Sequence, residues 1–238
     1  MAHWSEGTLI GFDLETTGVA PFTDVPVSYA FVTFEHGDRA GTVSSIVNPG
    51  RPIPPGATGV HGITDDRAAG GPALDEALDV IAATIGDAGR SGTPVVGMNL
   101  SYDLTMVDAM LRRRTGSGLA DDVPLGPVVD CMVLDKQADR YRRGGRKLGD
   151  LCREYGVEHG GAHDAAADVE ASVRVTLALL SRYPALAGMS LDDLVRAQAT
   201  WKREQTAGLS EYFVGRGGEA IPEWQHQWPV GRRSDEEG

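Results

Sequence analysis

The chain of 238 residues carries 34 acidic against 22 basic side chains, a formal net charge of −12, with 41% hydrophobic and 24% charged residues. This is the composition of a soluble globular protein with one sizeable core plus an extension, and its sign argues against a protein that coats nucleic acid through bulk electrostatics. No apolar run is long enough to span a bilayer, the first residues lack the basic start and apolar centre of a secretion signal, and Cys131 and Cys152 form no Cys-x-x-Cys pair. A cytoplasmic protein with no membrane partner, no disulfide framework and no thiolate zinc site is therefore expected.

Residues 8–15 read as a first strand, residues 25–34 as a second rich in Val, Tyr and Phe, and residues 39–47 as a third after the His36-Gly37-Asp38 turn. The short links between them predict an antiparallel meander. Residues 48–62, broken by Pro49, Pro52, Pro54, Pro55 and glycine, are expected to form a loop. Leu74, Leu78, Ile81 and Ile85 recur at helical spacing, residues 94–98 form a short apolar strand, and Ser101 is expected to cap a helix running to about Arg114. Val128 and Val129 belong to a fifth strand ending near Asp130. A helix from about Lys147 ends at Gly156, and Asp164 opens a longer one that ends before Pro184. Ser190 caps a further helix reaching about Gln205. This order predicts one α/β domain with a mixed sheet over residues 1–186, a helical extension over 187–214, and an extended, flexible tail over 215–238, which is rich in Gly, Pro and charge. Two basic clusters, Arg112-Arg113-Arg114 and the run from Arg140 to Lys147, are of the kind that usually forms solvated faces.

Chemistry concentrates at the end of the first strand. Strand side chains alternate faces, so Asp13 and Glu15 share one face while Phe12 and Leu14 enter the core. Two like charges at roughly 4 Å, with an effective dielectric of about 20, repel by about 4 kcal/mol, and a divalent cation relieves that cost. The plainer alternative is a polar strand end running into the Thr16-Thr17-Gly18 turn. Asp103 falls within the apolar stripe of Met106, Val107, Met110 and Leu111, where a carboxylate needs a cation or strong donors, although a first-turn acid also suits the helix dipole. Asp168 lines up with Val175 and Leu179 rather than with Glu170 and Arg174. His163, five residues earlier, would lie about 140° away in a regular helix, so it is expected in the preceding loop, free to swing over the site as a proton acceptor near neutral pH. His3, His36, His159 and His226 read as exposed polar residues.

Together, Asp13-x-Glu15-Thr16-Thr17-Gly18, Asn99-x-x-Tyr102-Asp103 and His163-x-Ala165-x-x-Asp168 resemble, in order and spacing, the three motifs of the DEDDh exonuclease family. That family includes the proofreading epsilon subunit of bacterial DNA polymerase III, ribonuclease T and oligoribonuclease. The resemblance covers roughly residues 8–180, departs at no catalytic position, and extends to Val60-His61-Gly62-Ile63-Thr64 and to the helix after the basic run.

The resemblance implies a ribonuclease H-like fold, a mixed five-stranded sheet flanked by helices with the second strand antiparallel. It implies two Mg²⁺ (or Mn²⁺) ions held by Asp13, Glu15, Asp103 and Asp168, with Asp13 bridging and His163 as general base. The implied reaction is hydrolysis of the terminal phosphodiester at a single-stranded 3′ end, releasing nucleoside 5′-monophosphates. By the same resemblance Thr16 and Thr17 would touch the terminal sugar and His61 the terminal base, with Asn99 and Tyr102 also binding substrate. The Arg140 to Lys147 run would follow the phosphate backbone upstream. His61 also fits a turn residue packed by Ile63. DNA and RNA are not distinguished. Two other classes stay open: a proofreading or repair nuclease subunit docked to a polymerase, helicase or repair partner through Trp224, Trp228 and Pro229, and a catalytically silent nucleic-acid-binding module. Alternatively Trp201, Tyr212, Trp224 and Trp228 simply pack the extension onto the domain.

Overall fold

The computed structural model describes residues 3–119, 121, 125–160 and 164–233. Among them the first three strands, β1 (Thr8–Thr16), β2 (Pro26–Glu35) and β3 (Asp38–Ile46), form the expected antiparallel meander, with Asp13 opposite Ala30 and Glu15 opposite Ser28. Residues 48–62 are not all loop. Pro55 starts a short helix, α1 (Pro55–His61), because proline is tolerated at a first helical position whose N–H has no intrahelical partner; Gly62, at φ 69°, ends it. Thr64 then caps α2 (Asp65–Ala68), and α3 (Leu74–Ser91) buries Leu78, Ile81 and Ile85.

Strand β4 (Val95–Gly97) runs parallel to β1 and leads into α4 (Leu100–Thr115). The cap of α4 is Asn99 rather than Ser101. Asn99 takes a left-handed conformation (φ 58°), which its short polar side chain tolerates and which turns the chain sharply off the strand. Ser101 is buried inside the first turn. Strand β5 (Val128–Asp130) pairs in parallel with β4, and α5 (Cys131–Ala138), not anticipated, follows at once. Asp130 is both the strand end and the cap of α5, accepting from Met132 N (2.8 Å) and Val133 N (3.4 Å). Then come α6 (Leu148–Tyr155), ended by Gly156, α7 (Ala165–Arg182), capped by Asp164, α8 (Pro184–Ala187) and α9 (Leu191–Val214), which is longer than predicted.

The sheet order is β3-β2-β1-β4-β5, so the strand bearing Asp13 and Glu15 is central. Phe12, Leu14, Phe31, Ile81 and Leu104 pack on one face; Leu9, Val32, Phe34, Val169 and Val173 pack on the other. Each such side chain contributes about 1.5–3 kcal/mol when fully buried. Gly11 governs how closely α7 approaches. A Cβ at that position would lie 2.3 Å from Val169 Cγ1 and 2.8 Å from Val173 Cγ2, so the missing side chain lets α7 lie flush on β1. Gly11, Asp13 and Glu15 share a face, and the same approach carries Asp168 to the acid pair.

The outer edge of β5 is closed by α9. Gln198, fully buried, accepts from Asp130 N (2.8 Å) through Oε1 and donates to Val128 O (2.9 Å) through Nε2, so one side-chain amide stands in for a sixth strand. Residues 221–232, expected to belong to an extended tail, pack against the domain, whereas 215–220 are exposed. Ile221 N donates to Ser210 Oγ (2.9 Å) and Gly231 N to Thr105 Oγ1 (2.8 Å), and Trp228 and Val230 pack on the core. Trp224 meets Phe22 edge-on at 5.4 Å. Partial burial of two tryptophans outweighs what the Gly- and charge-rich composition suggests. No helix among the described residues is long and apolar enough to cross a membrane.

Candidate active site

Pleating puts Asp13 and Glu15 on the face of β1 covered by α7, and Asp164 starts that helix so that Asp168 falls in its first turn. The carboxylates of Asp13, Glu15 and Asp168 offer oxygens that all lie within 4.8 Å of one another. Asp103, buried in the first turn of α4, completes the cluster electrostatically: after burial itself, its charge is the largest influence raising the Asp13 carboxyl far above the ordinary carboxylate range, followed by Glu15 and Asp168. Asp103 is raised as well, chiefly by burial, although backbone donors favour its ionised form. Glu15 is pushed from 4.5 to about 7 by burial and then by Asp168 and Asp164. Among the described residues no lysine or arginine pairs with any of the four. Four mutually repelling acids without a lysine or arginine partner among the described residues form a carboxylate donor set of the kind that hard divalent ions occupy.

His163 lies outside the described residues. His159, read from sequence as an exposed polar residue, instead reaches the cluster, with Nε2 2.5 Å from Asp168 Oδ1. Its side chain is only 16% exposed. Its spacing from Asp168 gave no helical signal.

The residues expected to grip substrate divide. Thr17 is buried; its hydroxyl donates to Asp24 Oδ1 (2.9 Å) and accepts from Val25 N (3.1 Å), so it holds the turn and leaves no open hydroxyl for a sugar. Thr16 Oγ1 donates to Gly18 O (2.7 Å) and sits 3.3 Å from the Tyr102 hydroxyl, which itself donates to Gly18 O (2.5 Å). Tyr102 thus ties the turn to α4, and burial raises its hydroxyl to about 12. His61 is buried at the end of α1; its Nδ1 accepts from Ile63 N (3.0 Å), and its ring lines a cavity of about 470 Å³ shared with Tyr29, Arg67 and Asp164, at the start of the helix bearing Asp168. Asn99 lines a second cavity on the other side of the site.

The basic run is not a free phosphate track. Arg142 and Arg146 both pair with Asp135, which is fully buried and also accepts from Tyr155 Oη (2.7 Å). Of the basic side chains in that run, only Arg140, Arg143 and Lys147 remain exposed. Arg112 is likewise engaged, by Asp108 (2.8 Å) and Asp121 (2.6 Å), and Arg114 by Asp79.

Comparison with known proteins agrees with this geometry. The chain matches the family model described as "Exonuclease" (RNase_T) over residues 10–176. It is 33% identical over 190 residues to a DNA polymerase III subunit epsilon-like protein of Rhodobacter capsulatus, covering 74% of this chain and 24% of that protein. It is 27% identical over 172 residues to the PolC-type DNA polymerase III of Streptococcus pneumoniae, covering 72% of this chain and 11% of the polymerase. The chain therefore spans a minor part of these curated relatives. Among solved structures, the zinc-bound E. coli ExoI–ssDNA complex superposes with a TM-score of 0.62 at 20% identity, covering 83% of this chain and 43% of that one. Exonuclease X in complex with 5′-overhanging duplex DNA gives 0.54 at 23% identity, covering 80% and 99%. These likenesses show the fold, an α/β mixed five-stranded sheet of the ribonuclease H-like exonucleases. With the family model matching well over half of its length, the chain belongs to the exonuclease family.

Proposed function

We propose that this chain is a metal-dependent 3′-to-5′ exonuclease that hydrolyses the terminal phosphodiester of single-stranded nucleic acid and releases nucleoside 5′-monophosphates. The observation that carries this reading is the cluster of Asp13, Glu15 and Asp168 oxygens within 4.8 Å, with the buried Asp103 charge beside it and no pairing cation among the described residues. Asp13, Glu15, Asp103 and Asp168 would hold two Mg²⁺ or Mn²⁺ ions, whose chemistry is Lewis-acid stabilisation of charge on the attacking and leaving oxygens. The cavity bounded by His61 and Tyr29 takes the terminal base, and Thr16, at the mouth of the turn, lies against the sugar. His163, in the position that matches the family motif, accepts the proton of the attacking water on its neutral imidazole. The contact of His159 with Asp168 favours a positioning role: it holds that carboxylate in orientation.

DNA is the favoured substrate, because the relatives are named as DNA polymerase III proteins and the solved neighbours include complexes with DNA. Packing of Trp224 and Trp228 on their own domain argues against their serving as a free docking peptide for a polymerase. The test uses single-stranded DNA and RNA labelled at the 3′ or the 5′ end, with Mg²⁺ or EDTA. Expected are immediate release of 3′ label as mononucleotide, progressive shortening of 5′-labelled strands, and none of either in EDTA. Cleavage that survives EDTA, or that starts at the 5′ end, contradicts the proposal.

A further inference from the structure

Beside the acid cluster, on the side away from His61, lies a cavity of about 290 Å³. The site end of α4 contributes Asn99 and Tyr102, the turn after β1 contributes Val19, α9 contributes Lys202, and the C-terminal segment contributes Trp224 and Gln225. None of the four acids lines it, but Val19 and Tyr102 belong to the turn and the helix that follow and carry them, and the Tyr102 hydroxyl donates to Gly18 O (2.5 Å), so the cavity borders the rim of the site. Three features of its walls call for an occupant.

Lys202 is held half-buried on the face of α9 that Gln198 fastens to β5, yet among the described residues it makes no hydrogen bond and no ion pair. Asp130, the acid whose charge favours its ammonium, already accepts from Leu100 N (2.9 Å) and Met132 N (2.8 Å) through its two oxygens. The like charge of Lys136 on α5 is also close enough to interact with Lys202, and burial disfavours both ammonium groups. Two lysines kept near each other in partial burial, with the one Asp130 carboxylate shared between them and no ion pair of their own among the described residues, are stabilised further when an anion arrives. Val19 is 90% exposed, an apolar side chain presented to solvent at the cavity mouth, and the Trp224 ring forms part of the wall. An ammonium together with an aromatic ring and an apolar edge matches one nucleotide: a phosphate for the first, a base for the others.

We propose that this cavity is an upstream nucleotide subsite built by the C-terminal extension, in which Lys202 binds a backbone phosphate of the single strand and Val19 and Trp224 flank a base. The inference rests on the exonuclease reading for the direction in which the strand runs. It gives the extension a role in substrate binding, and it supplies a cation that the basic run, with Arg142 and Arg146 engaged on Asp135, supplies less well.

The experiment titrates a fluorescein-labelled oligothymidylate by anisotropy, with Ca²⁺ in place of Mg²⁺, over a range of salt. In parallel it measures hydrolysis of the p-nitrophenyl ester of thymidine 5′-monophosphate, which carries one nucleotide and cannot reach the cavity. Lys202→Gln is expected to weaken oligonucleotide binding about tenfold and to flatten the salt dependence by about one phosphate contact, while Lys202→Arg keeps both. Trp224→Ala is expected to weaken binding without altering the salt slope, and all three variants should hydrolyse the ester as the unaltered chain does. Unchanged affinity and slope in Lys202→Gln overturn the subsite. So does a parallel loss of ester hydrolysis, which would mean that Lys202 only supports the fold. If the unaltered chain does not hydrolyse the ester with Mg²⁺, the exonuclease reading fails, whereas a Lys202-dependent salt slope in the titration still sustains the subsite.

Discussion

Two inward-facing acids show how differently one sequence pattern can end. Asp135 and Asp13 both lie on the inner side of their elements. Around Asp135 the chain brings its own cations: Arg142 (3.2 Å), Arg146 and the Tyr155 hydroxyl (2.7 Å) converge on a carboxylate with no exposure at all. Around Asp13 it brings more acid, namely Asp103, Glu15 and Asp168, and the carboxyl is driven up toward its neutral form. An inward acid is therefore no metal ligand by itself. What distinguishes the two regions is whether the rest of the fold delivers a counter-charge or leaves one to be supplied from outside.

That contrast can be broken most severely at Asp13. Asp13→Asn is expected to take exonuclease activity to the detection limit, while the metal-free protein melts no earlier than the unaltered chain, because a repelling charge is gone. Lower metal-free stability would mean that Asp13 has an internal partner after all. Next in size, His163→Ala should lower kcat about 10²- to 10⁴-fold, the range for a lost general base, and weaken metal binding much less. His159→Ala should reduce kcat less and act instead through metal affinity, by about 10- to 100-fold as for an orienting partner. The reverse ranking would exchange their roles. At the other acid, Asp135→Asn should cost about 3–5 kcal/mol in urea unfolding, since two arginines lose their shared carboxylate, with kcat per folded molecule retained. A small stability loss with a large loss of kcat would place Asp135 with the functional acids.

Much of this was legible in the chain itself, and the failures have identifiable causes. The faces of Asp13 and Glu15 followed from strand alternation, and Asp164 and Gly156 announced helix ends through local capping chemistry, which needs no distant partner. The inward placement of Asp103 followed from helical periodicity in the same way. The α1 helix was hidden because Pro54 and Pro55 serve equally as loop breakers and as a helix start. The α5 helix was hidden because its cap, Asp130, is also the last residue of a strand. The fate of Arg142 and Arg146 depends on Asp135, and that of the tail on Phe22 and Thr105. The arginines meet Asp135 across the end of α5, outside any one helix, and the tail contacts span the fold, so neither leaves a periodic trace. His159 belongs to the same class, since only the approach of α6 and α7 brings it to Asp168.

The most direct test of an acid cluster that lacks its own cation is the melting temperature against pH, with and without Mg²⁺, for the unaltered chain and for Glu15→Gln. The Glu15 carboxyl is raised from 4.5 to about 7 in the folded chain. Between those values the folded state keeps a proton that the unfolded state releases, so metal-free stability must fall as the pH rises through that window. The metal-free melting temperature of the unaltered chain is expected to fall relative to Glu15→Gln between about pH 4.5 and 7, by a few degrees, and Mg²⁺ above pH 7 should restore it in the unaltered chain. A difference that stays flat with pH, together with a melting temperature indifferent to Mg²⁺, would contradict a metal site at Asp13, Glu15 and Asp168.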